Sequence, residues 1–82
     1  MSGRLSNGLS IPQDRALRDA AAGKLRRDPI GWFGLGRGNR RYGGKTLYSL
    51  FERGLIAPGD GWVAGRKRMD ITDAGRSLIE GR

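Results

Sequence analysis

The sequence predicts a small α+β domain of about three helices, a short strand and a β-hairpin, and three observations carry that reading. Apolar residues recur with helical spacing at Ala16, Leu17, Ala20 and Ala21, and again at Leu47, Leu50 and Phe51. Two short runs, Trp62-Val63-Ala64 and Met69-Asp70-Ile71, flank Gly65-Arg66-Lys67 as two strands flank a turn. The chain has 82 residues, 37% of them apolar, which suits one compact domain with a modest core.

In chain order, residues 1–9 mix Ser, Gly, Asn and Arg without periodicity and read as a tail, leaving 10–82 as the domain. A first helix begins at Ser10. Ser10 and Gln13 have the spacing at which each side chain satisfies a backbone N–H of the first turn. Pro12 is tolerated there, because its missing N–H would have had no partner. Gly23 suits the left-handed stop. After Asp28-Pro29, the residues Ile30, Trp32 and Leu35 are read as a short strand, and Gly36–Gly44 as a flexible basic loop. A second helix follows from about Gly43 to Arg53, with Leu47, Leu50 and Phe51 as its apolar stripe and Gly54 as its stop. Its opposite face carries Lys45, Tyr48, Ser49 and Glu52. Leu55 and Ile56 lead into a strand, Pro58-Gly59-Asp60-Gly61 signals a turn, and the hairpin follows. Thr72 caps a last helix, with Asp73 near its positive end and Leu78 and Ile79 anchoring it. Phe51, Trp32 and Trp62 are assigned to the core, and Phe33 is expected to be exposed.

Composition closes most routes to catalysis. There is no Cys and no His, so disulfides, thiolate metal sites, cysteine nucleophiles and imidazole general bases are excluded. The carboxylates are scattered, and no cofactor, no metal and no enzymatic activity are expected. Gly44-Lys45-Thr46 lacks the earlier glycine of a phosphate-binding P-loop, since Asn39 occupies that place. Gly34-Leu35-Gly36 lacks the third glycine of a dinucleotide site. No apolar run has membrane-span or signal-peptide length, so the expected location is the cytoplasm with no membrane partner.

Charge points elsewhere. The net charge is +8 and unevenly placed. Residues 24–53 hold eight cations against two anions, a net +6, and Arg66-Lys67-Arg68 forms a second cluster. A basic chain with two cationic foci suits a polyanionic partner, one focus entering a groove and the other gripping the backbone.

Two local motifs add a family likeness. Leu50-Phe51-Glu52-Arg53-Gly54-Leu55-Ile56 resembles the end of a recognition helix passing into the first wing strand of MarR-type regulators. Ile71-Thr72-Asp73-Ala74-Gly75-Arg76-Ser77-Leu78 resembles the segment that follows the wing there. Together they cover about the last forty residues and imply a winged-helix-like domain of the helix-turn-helix class. The resemblance makes 43–53 the recognition helix and Arg66, Lys67 and Arg68 the wing tip. Upstream, the glycine-rich stretch 31–44 is poor in helix formers, so the helix that usually precedes the recognition helix is expected to be absent or reduced to a turn. The long dimerising helices of that family have no counterpart, and no dimer is implied.

The candidate nucleic-acid-binding residues are thus Arg37, Arg40, Arg41, Lys45, Tyr48, Ser49, Arg66, Lys67 and Arg68. The expected function is binding of double-stranded DNA by a small transcriptional regulator of the kind found in phages and mobile elements. The alternatives are a protein-interaction module, an inhibitor or adaptor on the same scaffold, and an RNA binder using the Arg/Gly loop.

Overall fold

The computed structural model describes residues 8–80 and is an α+β domain of three helices and a five-stranded antiparallel sheet, compatible with a winged-helix-like arrangement. The elements are α1 (Ile11–Ala21), β1 (Arg26–Arg27), β2 (Gly34–Leu35), a 3₁₀ turn (Arg37–Asn39), β3 (Arg41–Tyr42), α2 (Gly44–Glu52), β4 (Ile56–Val63), β5 (Arg66–Ile71) and α3 (Asp73–Ile79). The strand order is β3-β2-β1-β5-β4. No helix among the described residues is long and apolar enough to cross a membrane.

α1 starts as its sequence requires. Ser10 Oγ accepts from the Gln13 N–H at 3.2 Å, and Gln13 Oε1 accepts from the Ser10 N–H at 2.9 Å. The other end of the Gln13 amide donates to Ser49 Oγ at 2.7 Å, so one side chain both caps α1 and ties it to α2. The tail read over 1–9 takes in a residue of the core. Residues 1–7 lie outside the described residues, but Leu9 is fully buried and belongs to the core.

That core lies between the helices and one face of the sheet. Ala16, Leu17 and Ala20 of α1, Leu47 and Leu50 of α2, Ile56 and Met69 of the sheet, and Leu25 and Leu55 just ahead of β1 and β4 belong to one buried cluster. α3 closes it. The Thr72 hydroxyl accepts from the Gly75 N–H at 3.1 Å and donates to the Gly54 carbonyl at 2.6 Å, binding the end of α2 to the start of α3. Gly75 is buried so close to the Leu55 carbonyl oxygen and the Ile71 side chain that a Cβ there would collide with both. Close backbone approach is the reason this motif position holds glycine.

Several expectations need correction. β1 had no counterpart in the sequence reading. The strand expected over 30–35 contracts to Gly34–Leu35, with Ile30 out in a turn at 93% exposure. Asp28 closes that turn by accepting the Ile30 N–H at 3.0 Å, and Pro29 cannot donate to a sheet ladder. The 36–44 segment is built rather than loose. It holds the 3₁₀ turn and β3, and the buried Asp19 of α1 accepts from the Arg37 N–H at 3.2 Å and from the Tyr42 hydroxyl at 2.5 Å. This turn stands where a full helix would precede α2.

The hairpin is longer than read. Pro58-Gly59-Asp60-Gly61 is not a turn but a bulge inside β4. Pairing runs Ile56↔Ile71 to Pro58↔Met69 and resumes at Trp62↔Lys67. The chain reverses at Ala64-Gly65, at φ 52° and 79°, as a two-residue hairpin with right-handed strand twist requires. Arg66, Lys67 and Arg68 are therefore strand residues of β5 and not the wing tip.

Candidate nucleic-acid interface

Register decides where the basic side chains go. Paired residues in an antiparallel ladder share a face, and successive residues alternate. The buried Met69 marks the helix-covered face of β5, so Lys67 lies on that face while Arg66, Arg68 and Asp70 lie on the other. Across the ladder, Arg27 pairs with Lys67 and Arg26 with Arg68. Arg26 pairs in turn with Leu35, and Leu35 with Arg41. The sequence-predicted residues thus divide between two surfaces instead of forming one.

The first surface joins α2 to the hairpin. Arg27 places its guanidinium 4.6 Å from the centre of the Trp32 ring and donates to the Gly31 carbonyl at 2.9 Å. Trp32 leans on α2, with its ring centre 4.7 Å from that of Phe51 and 5.2 Å, edge-on, from that of Tyr48. On the hairpin side, the Lys67 ammonium lies 5.3 Å from the centre of the Trp62 ring. Arg27 and Lys67 are cross-strand partners, so the Trp62–Lys67 and Arg27–Trp32 pairs meet at their cations, and the row ends on Tyr48 beside Trp32. Lys45 is exposed on the first turn of α2, three residues before the exposed Tyr48.

Sequence reasoning missed part of this row. Trp62 is 61% exposed rather than core, because the bulge carries it past the last core residue of β4. Phe51 is also partly exposed, covered on one side by Trp32. Arg27 escaped notice because a two-residue strand leaves no periodicity to read. Ser49 does not point outward with Lys45 and Tyr48. Its hydroxyl accepts from Gln13 and donates to the Thr46 carbonyl at 3.0 Å.

The second surface is the helix-free face of the sheet. Arg68 donates to Asp70 at 2.7 Å, and Arg26 donates to the Gly36 carbonyl at 3.1 Å. Arg41 and Arg66 form no ion pair among the described residues. Arg37 opens the 3₁₀ turn and Arg40 directly follows it, both exposed, on a segment held by the Asp19–Tyr42 anchor. Burial, and then the hydrogen bond to the Asp19 carboxylate, push the Tyr42 phenol up to about 12.

No protein-family model matches the chain, and no curated protein or solved structure compared with it does either.

Proposed function

We propose that this protein binds nucleic acid, with double-stranded DNA held against the surface where α2 meets the hairpin, in the service of a small regulator. The observation that carries the reading is the row from Trp62 to Tyr48, in which two aromatic–cation pairs meet across the β1–β5 ladder and link one helix to one ribbon as a basic, aromatic strip. A helix and an adjoining β-ribbon offer a groove-entering element and a backbone-gripping one. Lys45, Arg27 and Lys67 supply cations that neutralise phosphates and release counterions.

Titration of a labelled duplex over a series of salt concentrations tests it. The log–log slope should be about −0.9 for each phosphate neutralised. Lys45→Ala with Lys67→Ala should weaken binding and flatten the slope, whereas Arg76→Ala on α3 should change neither. No binding at low salt removes the proposal.

A protein partner is the second reading, favoured by Ile30 standing almost wholly in solvent at a turn. One partner retained through nuclease treatment and high salt, and lost with Ile30→Ser, supports that alternative.

A further inference from the structure

The helix-free face of the sheet holds a cleft of about 500 Å³ lined by Asp28, Phe33, Leu35, Arg41, Tyr42 and Arg66, with Gly34 and Gly43 between them. Its lining follows from the register. The Asp28 N–H donates to the Phe33 carbonyl at 2.8 Å, extending the β1–β2 ladder one step and setting Phe33 on the same face as Leu35. Phe33 is 52% exposed, and its ring rests against Gly31, where a Cβ would come within 2.8 Å of it. Arg41 and Arg66 border the cleft without an anionic partner among the described residues. Asp28 is the one acidic lining residue, and one of its oxygens is taken by the Ile30 N–H.

We propose that this face is a second nucleic-acid surface that takes a single strand, one base stacking on Phe33 and the flanking phosphates meeting Arg41 and Arg66. Charge complementarity selects a polyanion. The exposed ring then selects among polyanions. A duplex keeps its base faces stacked inside and turns phosphate outward, which leaves an apolar ring in a cleft without a partner. An unstacked base supplies a π-face for Phe33 while its backbone runs past the arginines. None of these residues belongs to the α2–hairpin strip, so the two surfaces stand or fall separately.

The test uses the full chain with a fluorescein-labelled oligothymidylate of about twelve nucleotides, and in parallel a labelled duplex of similar length. Phe33→Ala should lower single-strand affinity roughly tenfold and leave duplex affinity unchanged. Phe33→Leu, which keeps an apolar side chain without a π-face, should be as weak as Phe33→Ala, and Phe33→Tyr should bind like the parent. Arg41→Ala with Arg66→Ala should flatten the single-strand salt slope by about 1.4, at about 0.7 per phosphate. Lys45→Ala with Lys67→Ala should leave oligothymidylate binding intact. Phe33-dependent oligothymidylate binding without duplex binding would sink the duplex reading and uphold this one. No oligothymidylate binding at low salt overturns the proposal. So does binding that is indifferent to Phe33 or that is lost with Lys45 and Lys67.

Discussion

Arg27 and Trp32 are joined twice, by the guanidinium set 4.6 Å from the centre of the indole ring and by the hydrogen bond from Arg27 to the Gly31 carbonyl next to it. Because Trp32 also leans on Phe51 and Tyr48, this pair transmits the position of β1 to α2. It adds to the Leu47 and Leu50 packing and the Gln13–Ser49 hydrogen bond that also position α2.

Trp32→Ala should therefore cost about 3 kcal/mol, the low end for a large aromatic because Trp32 is only partly buried. Trp32→Phe should cost less than half as much. Urea denaturation followed by far-ultraviolet circular dichroism measures both. A loss under about 1 kcal/mol for the alanine variant would mean that α2 is held without Trp32, by the Leu47 and Leu50 packing and the Gln13 and Thr72 hydrogen bonds.

Tyr42 predicts a dependence on alkaline pH. Its phenol titrates near 10 when unfolded and at about 12 in the fold. The folded state thus holds the proton more tightly. The associated stability is fully present below pH 10 and is lost as pH rises toward 12, by on the order of 2–3 kcal/mol. Comparing urea midpoints at successive pH values for the parent and Tyr42→Phe isolates this effect. The phenylalanine variant should be less stable at neutral pH, because Asp19 loses a donor, and its stability should fall less steeply above pH 10.

Gln13 serves two helices at once. Gln13→Ala should cost about 1–2 kcal/mol, more than the roughly 1 kcal/mol expected for a simple cap loss at Ser10→Ala. A double-mutant cycle with Ser49→Ala should give a coupling of about 0.5–1 kcal/mol. Strict additivity would show that the 2.7 Å contact contributes nothing in solution.

Ala64 sits at φ 52°, where a Cβ is unfavourable and where asparagine is tolerated. Ala64→Asn should stabilise the hairpin by about 0.5–1 kcal/mol, seen as a raised melting temperature. Ala64→Val should destabilise it, since branching at Cβ worsens the same crowding.

Elements governed by local chemistry were legible in the sequence. The Ser10–Gln13 box, the stripe through Leu47 and Leu50, the Thr72 cap and the positive φ of Gly23 and Gly54 all follow from residues a few positions apart. What escaped was set by distant pairing. Arg26–Arg27 is a strand only because Leu35 and Arg68 lie on either side of it. Pro58-Gly59-Asp60-Gly61 has the composition of a turn, and it stays in the sheet because β5 continues opposite both of its ends. That bulge also carries Trp62 out of the core that its apolar neighbours predict. The basic cluster at 66–68 was visible as charge, but its division between two faces is a property of alternation in a strand that a turn reading concealed.

The two borders of the sheet have a consequence for self-association. β3 is two residues long and passes at once into α2, while β4 carries a proline without an N–H and a bulge that interrupts its pairing with β5 and bends the edge. The shortness of β3 and the proline and bulge of β4 each disfavour the addition of a sixth strand from another molecule. Copies of this chain can therefore crowd together without their sheets merging into an aggregate.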